Sequence, residues 1–251
     1  MKTFISITII LFFVVSCSTN DIIEEEGPSE HLDEFTDVRD GKTYKYVKIG
    51  TQTWMAENLA YLPVVTSAAD GPTYNNYEPF ENEKFYYVYG YNGNSVNEAK
   101  STDNYKDLGV LYDWNAARSA SPAGWHLPTK SEWESLADYI SANQSGCTKE
   151  DKDKGQISWL QVGGYLKSSV NWNNDLNGTD NYDFRSMAAG FRNNDGNFYG
   201  RGNECLFWSN SREGENENGE AYCIEMRDFN QTLDLLLGRT INGFSVRCIK
   251  D

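Results

Sequence analysis

The chain has 251 residues, of which 37 are acidic and 22 are basic, so its formal net charge at pH 7 is -15. Nucleic-acid binding requires clustered lysine and arginine side chains for phosphate contacts, and this charge balance argues against nucleic acid as a partner. It equally disfavours electrostatic adhesion to anionic lipid.

The first 17 residues have the features of a bacterial lipoprotein signal peptide. Lys2 precedes an apolar stretch, residues 4–15, that is shorter than the roughly 20 residues of a membrane span. The small residue Ser16 before Cys17 resembles a lipobox, which implies acylation of Cys17, with palmitate or a similar chain, and cleavage before it. Two or three acyl chains give stable anchoring, so we expect a lipid-anchored protein of the outer membrane or cell surface. The alternative is ordinary secretion, with Cys17 in the discarded peptide.

Residues 18–35 are predicted to form an acidic, flexible tether. They are rich in aspartate and glutamate and hold too few large apolar residues to order themselves by burial. Acidic residues soon after an acylated cysteine resemble the surface-export signal of bacterial lipoproteins. A solvated spacer without that role is the alternative.

Residues 36–251 are expected to form one domain, because about 215 residues suffice for a sizeable core. Apolar alternation predicts strands at 43–49, 85–91, 184–192, 198–199, 206–209, 221–226, 232–236 and 244–249. Short helices are expected at 113–118 and 130–142. Asn194-Asp195-Gly196 predicts a hairpin turn. Mostly antiparallel strands with about two helices indicate an α+β fold.

The predicted helix at 130–142 has the clearest local signals. Thr129 followed by Glu132 matches a capping box, in which each side chain satisfies a backbone donor at the helix start. One helical face carries the apolar residues Trp133, Leu136, Ala137 and Ile140. We therefore expect this helix to plug a hydrophobic core.

Five motifs occur in an order that resembles a known family: Trp54-Met55-Ala56-Glu57-Asn58-Leu59, Tyr112-Asp113-Trp114, Pro122-Ala123-Gly124-Trp125-His126-Leu127-Pro128, Glu132-Trp133 and Gly243-Phe244-Ser245-Val246-Arg247-Cys248. From about residue 40 to residue 251 they resemble the Fibrobacter succinogenes major paralogous domain, a family of bacterial surface and secreted proteins. More distantly, the Leu-Pro-Thr segment before the helix and the Gly-Phe-x-x-Arg-Cys ending resemble the formylglycine-generating enzymes. That resemblance implies a single C-type-lectin-like domain.

Four cysteines remain apart from the lipobox cysteine, and an even number in an exported protein predicts two disulfides. Cys205 and Cys223 lie nearly symmetrically about the polar loop of an expected hairpin, which would bring them within bonding reach. Cys147, just past the long helix, would then pair with Cys248, and the lectin-like resemblance implies such a tie between helix and last strand. The chain departs from its family at Ser121, where a cysteine is common. Free buried thiols are the alternative.

The sequence offers little for catalysis. His31 lies in the tether, and His126 lies in the core junction, where a structural imidazole is expected rather than a general base. The formylglycine-generating enzymes use closely spaced cysteines upstream of their terminal motif, and none lies between Cys223 and Cys248. We therefore expect a protein that is not an enzyme, with carboxylate pairs for glycoside hydrolysis as an open alternative.

Amide and carboxylate side chains crowd residues 171–183. Their hard oxygen atoms suit Ca²⁺, and lectin-like folds often place Ca²⁺ in long loops before the later strands. The EF-hand spacing fails near Gly196, because Phe191 and Gly202 would fall on ligand positions. Asn and Asp are also ordinary turn residues, so a Ca²⁺ site and a plain turn-rich loop are both possible interpretations.

The same region is predicted to bind a ligand, because loops on a rigid scaffold carry function. The candidate residues are Trp172, Asn174, Asp175, Tyr182, Asp183, Asn194, Asp195, Trp208 and Asn210. Trp172 would stack on a sugar face, while neighbouring amides and carboxylates would pair with hydroxyls or metal. We therefore predict a non-catalytic surface lipoprotein that binds a glycan or a surface protein. The alternatives are an assembly component of the cell envelope and an enzyme of formylglycine-generating-enzyme architecture with different chemistry.

Overall fold

The folded part of the chain consists of three separate β-sheets, with helices inserted between their strands. The computed structural model describes residues 32–76, 83–174, 176–212 and 219–251, which fall within one compact unit, Leu32–Asp251. The predicted signal peptide and the tether up to residue 31 lie outside the described residues.

The helices and strands are short. The strands are β1 (Asp33–Thr36), β2 (Thr43–Ile49), β3 (Gln52–Met55), β4 (Tyr86–Tyr87), β5 (Leu111–Tyr112), β6 (Trp125–His126), β7 (Thr148–Asp151), β8 (Ile157–Leu160), β9 (Ala189–Arg192), β10 (Phe198–Arg201), β11 (Glu204–Trp208), β12 (Glu220–Arg227), β13 (Leu233–Arg239) and β14 (Ile249–Lys250). The helices are α1 (Val96–Ser101), α2 (Asp103–Leu108), α3 (Trp114–Ala120), α4 (Lys130–Asn143) and α5 (Val162–Leu166), with 3₁₀ turns at Tyr74–Asn76 and Asp153–Gly155.

The sheets establish the α+β class that the sequence predicts. One sheet has the strand order β1-β2-β3-β14-β6, the largest has the order β10-β9-β11-β12-β13-β8-β7, and β4 pairs with β5. Strand pairs are antiparallel except that β11 runs parallel to β9. Because β14 lies between β3 and β6, the end of the chain closes the sheet that the first strands begin.

Helix α4 begins with the predicted capping box. The Thr129 hydroxyl accepts a hydrogen bond from the backbone N–H of Glu132, and the Glu132 carboxylate accepts one from the backbone N–H of Thr129. The face that carries Trp133 is fully buried, and the Trp133 ring lies 4.6 Å from that of Trp54. The helix therefore plugs one of the two hydrophobic clusters of the core, as the sequence predicts.

The predicted tether extends too far. Its last residues form β1, which pairs with β2 in antiparallel register. The cause is Phe35, whose ring stacks on Trp125 and Tyr44 at centroid distances of 4.5 and 5.5 Å. Burial of this aromatic surface compensates the entropy lost by ordering an acidic segment.

Three predicted strands are shorter than expected. In the segment 85–91 only β4 is a strand. In the segment 184–192 only β9 is a strand, because Arg185 has a positive φ of 54° that a strand cannot accommodate. In the segment 244–249 the backbone makes single bridges instead of a ladder, from Phe244 to Tyr112 and from Ser245 to Phe207. This last segment therefore crosses between sheets and is buried on all sides.

The predicted disulfides are wrong, because Cys147, Cys205, Cys223 and Cys248 are all free in the structure. In the β11–β12 hairpin Cys205 lies opposite Met226, three residues beyond Cys223. An odd offset turns the two thiols to opposite faces of the sheet, and each packs in a different hydrophobic cluster. Cys147 and Cys248 are likewise associated with different clusters. Burial raises the pKa of Cys205 and of Cys248 to about 12.

Candidate functional site

The segment between α5 and β9 is a long loop whose backbone repeatedly enters the left-handed region. Positive φ values occur at Asn171, Asn174, Asp180, Asp183 and Arg185. Asn and Asp tolerate this conformation because their short side chains hydrogen-bond locally, but an arginine needs external support. The Asp180 carboxylate accepts a hydrogen bond of 2.8 Å from the backbone N–H of Arg185. The loop is therefore held in one conformation by its own acidic residues.

Arg247 anchors this loop from beneath. Its side chain is fully buried and donates hydrogen bonds to the backbone carbonyls of Met55, Phe184 and Arg185 and, over 2.6 Å, to the amide oxygen of Asn58. The guanidinium also lies 4.6 Å from the Phe184 ring centroid. Among the described residues it has no ion pair with a carboxylate. Burial lowers the pKa of Arg247 to about 10, well above neutral pH, so the side chain stays charged.

Lys167 and Arg192 are held in the same way. The Lys167 ammonium donates to the carbonyls of Arg227 and Asn230, and burial lowers its pKa to about 8. Arg192 donates to the carbonyls of Ala68 and Pro72 at 2.8 and 2.6 Å. Both side chains are fully buried. Lys167, Arg192 and Arg247 are thus three buried cations that hold loops in place by donating hydrogen bonds to backbone carbonyls.

Trp172 is not the exposed sugar platform that the sequence predicts. Only 5% of its surface is exposed, and its indole N–H donates a 3.0 Å hydrogen bond to the carbonyl of Ser186. The Lys167 ammonium lies 4.5 Å from the ring centroid. The indole is core because both its faces and its polar atom are already used by the protein, which explains why the loop folds over it.

Trp208 is also core. It is completely buried, its indole N–H donates to the carbonyl of Tyr112 over 2.7 Å, and its ring lies 4.2 Å from that of Phe244. Trp208 is thus part of the hydrophobic face of β11 and does not contribute to a ligand surface.

The other candidates in the loop fall into different roles. Asn174 donates to the carboxylate of Asp228 and so ties the loop to the β12–β13 connection. The Tyr182 hydroxyl accepts a 2.9 Å hydrogen bond from Gln144 at the end of α4. Asp183 lines a depression described below. Asp175 lies outside the described residues.

The remaining candidates lie in two other places. Asn194 and Asp195 form the β9–β10 turn that the sequence predicts, where Asp195 accepts a 2.6 Å hydrogen bond from the Tyr199 hydroxyl. Asn210 follows β11, and its backbone N–H donates to the carbonyl of Pro128 over 2.7 Å. Neither group lines the depressions beside the loop; of the predicted ligand residues that the structure describes, Trp172 and Asp183 line them.

A different set of residues forms the concave surface of this face. Three adjoining depressions, with cavity volumes of about 290, 140 and 450 Å³, share Met187 as a common wall. We call them together the Met187 groove. Its lining from α2, the 171–187 loop and the end of β10 includes Lys106, Asp107, Asn171, Asn173, Asp180, Asp183, Arg185 and Arg201, and its other wall includes Lys42, Glu57 and Asn58.

The groove carries both charges. Its acidic groups are partly engaged, since Glu57 accepts a 2.9 Å hydrogen bond from the backbone N–H of Lys45 and Asp180 accepts one from Arg185. Burial, followed by the nearby Asp183 carboxylate, raises the pKa of Asp180 to about 6. The groove is therefore a mixed surface, in which amides, carboxylates and cations lie beside apolar side chains such as Leu108, Val170 and Met187.

His126 has a structural role, as predicted. Its two ring nitrogens lie 2.8 Å from a Glu132 carboxylate oxygen and 2.7 Å from one of Asp251. Burial alone would lower the pKa of His126, but these two carboxylates outweigh it and raise the pKa. The imidazole thus clamps the last residue of the chain to the start of α4.

The structure holds no metal-binding constellation of the usual kind among its described residues. No three His, Cys, Asp or Glu side chains there converge as ligands, so the predicted Ca²⁺ site has no such support. The described helices are likewise all too short or too polar to cross a membrane.

Sequence reasoning found the loop but missed most of the groove. Asn58 belongs to the Trp-Met-Ala-Glu-Asn-Leu motif, so its position could have been suspected. Met187, Asp107 and Arg201 carry no local signal, because they meet only after α2, the loop and β10 have packed together. Such a site is a property of tertiary structure.

The comparisons with known proteins point to one family. The sequence model of the Fibrobacter succinogenes major domain matches residues 47–250. No curated protein and no solved structure was found to match the chain.

Proposed function

Because the chain belongs to the Fibrobacter succinogenes major domain family, we propose that it is a non-catalytic, lipid-anchored protein of the bacterial cell surface that binds a glycan. The binding surface is the Met187 groove, and not the tryptophan platform predicted from sequence. A C-type-lectin-like arrangement of the domain is part of the same proposal, and the closure of the first sheet by the last strand supports it.

The observation that carries the proposal is the chemistry of the groove. Asn171 and Asn173 are exposed and place amide groups in the same depression as the Asp107 carboxylate. Planar amides and carboxylates pair with the vicinal hydroxyls of sugars through directed hydrogen bonds. A groove in which such polar groups lie beside apolar side chains can contact both the hydroxyl groups and the apolar C–H faces of a sugar.

The signal-peptide pattern supports the location. Acylation at Cys17 would leave the folded unit from Leu32 connected to the membrane by a short acidic segment. A domain carried in this way meets soluble or extracellular ligands without needing a membrane span of its own.

Three edge strands argue against assembly through strand addition. Edge strand β7 has the sequence Thr-Lys-Glu-Asp and is exposed throughout. Edge strand β1 begins with Asp33 and Glu34, and edge strand β10 ends with Arg201. Charged side chains on an edge strand oppose pairing with another chain.

A second candidate is hydrolysis of a glycan by the acidic pair in the groove. Asp180 and Asp183 line the same depression, and the pKa of Asp180, raised to about 6, is in the range of a general acid. The test is reducing-end release from any bound oligosaccharide. Turnover that is lost in Asp180→Asn would replace the binding proposal with this one, whereas binding without turnover excludes it.

The binding proposal is tested with a glycan array on the purified full chain in detergent. Asp107→Asn and Asn173→Ala are expected to weaken binding about five- to thirtyfold, because each removes about 1–2 kcal/mol of hydrogen bonding. Asp103→Asn is the matched control, since it lies on the same helix and outside the groove lining. Absence of any glycan binding, or equal effects of Asp107→Asn and Asp103→Asn, would exclude the groove as a glycan site.

A further inference from the structure

The arginine residues divide into two groups by their partners. Most guanidinium groups are engaged by a carboxylate, a backbone carbonyl or an aromatic ring of the protein itself. These engaged arginines are Arg39, Arg118, Arg192, Arg212, Arg227, Arg239 and Arg247. Arg185 and Arg201 are the other two, and among the described residues neither guanidinium has a hydrogen bond, an ion pair or a ring contact.

Both unengaged arginines line the Met187 groove. Arg201 lies in the depression that also holds Asn171 and Asn173, and Arg185 lies in the two depressions on the other side of Met187. In a chain with a net charge of -15, acidic partners are abundant. The charge of Arg185 acts on the nearby Asp180, but neither guanidinium is used by an internal hydrogen bond within the described part of the chain, so the donors of both remain available to a ligand.

Both arginines are also held in place by their backbones. Arg185 donates its N–H to Asp180 and accepts from Arg247 at its carbonyl, over 2.8 and 3.4 Å. Arg201 pairs with Ala189 at the end of β10, and the next residue, Gly202, donates its N–H to the carbonyl of Ala188 over 2.9 Å. A fixed backbone lowers the entropy lost when a long side chain binds an anion.

We propose that the ligand of the Met187 groove is an acidic oligosaccharide, whose carboxylate or sulfate groups bind Arg185 and Arg201 while its hydroxyls bind the neighbouring amides. Guanidinium groups match carboxylate and sulfate oxygens through paired, charge-assisted hydrogen bonds. Among the described residues, the four carboxylates that line the groove are matched in number by four cations, namely Lys42, Lys106, Arg185 and Arg201. This inference rests on the proposed glycan function and specifies its ligand class.

The test compares one sugar backbone with and without its charges. Binding of an oligogalacturonate and of its fully methyl-esterified form to the full chain is measured by isothermal titration calorimetry, with a chondroitin sulfate oligosaccharide as the sulfated arm. We expect the methyl ester to bind at least about tenfold more weakly than the free acid, as loss of charge-assisted hydrogen bonds predicts. Affinity for the acid is also expected to fall as salt rises, because the groove is open to solvent.

The variants assign the effect to the two arginines. Arg185→Gln and Arg201→Gln are each expected to weaken binding of the acid at least about tenfold, with unchanged thermal unfolding. The matched control is Arg239→Gln, an exposed arginine outside the groove lining, which should bind as the unmodified protein does. Equal binding of acid and ester, or equal effects of Arg239→Gln and Arg201→Gln, overturns the acidic ligand. If neutral glycans bind and respond to Asp107→Asn while acidic ones do not, the inference fails and the proposed function stands. If no carbohydrate binds, both fail.

Discussion

The thiol of Cys248 lies 3.4 Å from the hydroxyl of Ser121, although 127 positions separate the two residues in the chain. The family resemblance places a cysteine commonly at the position of Ser121. The structure thus gives Cys248 a different neighbour from the one predicted, because Cys147 belongs to the other hydrophobic cluster. The Ser121 hydroxyl stands where the sulfur of a partner cysteine would be.

Ser121→Cys is expected to form a disulfide with Cys248 under oxidising conditions. The cross-link should raise the free energy of unfolding by about 2–4 kcal/mol, because it restricts the unfolded chain over a long loop. Non-reducing peptide mapping and denaturant unfolding with and without reductant measure both effects. Ser119→Cys, an exposed position in α3 two residues before Ser121, is the control that should stay free. Four unpaired thiols plus a free Cys at position 121 after oxidation would contradict the geometry.

Arg247→Leu is expected to destabilise the domain strongly. The substitution leaves the buried carbonyls of Met55 and Phe184 and the Asn58 amide without their donor, and unsatisfied buried groups cost about 1–3 kcal/mol each. We expect a loss of at least about 3 kcal/mol in denaturant unfolding. Arg239→Leu removes the same charge from an exposed site and should stay within about 0.5 kcal/mol of the parent. Similar losses in the two variants would refute the anchoring role of Arg247.

The His126 clamp predicts a pH-dependent contribution to stability. Because the pKa of His126 is raised above its ordinary 6.5, the contribution is complete below that pH and is lost as pH rises through the raised pKa. Hydrogen bonds from Thr129 and His126 outweigh the effect of burial on Glu132 and lower its pKa below 4.5. The contribution of the Glu132 carboxylate to stability is therefore lost only under more acidic conditions. His126→Gln should therefore cost most between about pH 4.5 and 6.5, and at most about 1 kcal/mol because the pair is partly exposed. A cost independent of pH from 5 to 9 would exclude an ionised clamp.

Trp172→Ala is expected to unfold the loop instead of selectively removing a binding contact. Truncation of a buried tryptophan costs about 3–5 kcal/mol, through lost burial and the cavity left behind. Chemical denaturation measures the change. Phe229→Ala removes an aromatic ring that is 61% exposed and should change the free energy of unfolding by no more than about 0.5 kcal/mol. A stable Trp172→Ala variant with impaired ligand binding would restore the platform hypothesis.

The sequence predicts the start of α4 well and the β11–β12 register poorly, for a physical reason. Thr129 and Glu132 satisfy each other within one turn, so their pattern determines the helix start wherever the helix packs. The pairing of Cys205 with Met226 depends on how the intervening loop closes. A register shifted by three residues would leave the sequence pattern of each strand unchanged, so the pattern does not distinguish the two registers. Local chemistry is readable in a sequence, whereas register is set by contacts between strands.

In the candidate site, the exposure of individual side chains is as hard to predict from the sequence as the strand register. Trp172 and Trp208 sit among amides in the sequence and look available to a ligand. Their indole donors are satisfied by the carbonyls of Ser186 and Tyr112, residues that are 14 and 96 positions away. Composition cannot reveal such partners, and it therefore cannot distinguish a buried indole from an exposed one.

Acylation at Cys17 remains a prediction from sequence. Cells fed an alkyne fatty acid should label the unmodified protein, and Cys17→Ala should be unlabelled and released from the membrane. Ser16→Ala keeps a small residue before the cysteine and is the control that should retain the label. Equal labelling with and without Cys17 would exclude the lipoprotein assignment.

The buried cations Lys167, Arg192 and Arg247 bind main-chain oxygens, and this has an evolutionary consequence. Every amino acid presents the same carbonyl, so these hydrogen bonds place no demand on the identity of the residues they hold at positions such as Ala68, Met55 or Asn230. A loop can therefore exchange its side chains, and with them its ligand, while its path through space is preserved. In such a domain, ligand specificity can therefore diverge while the scaffold is retained.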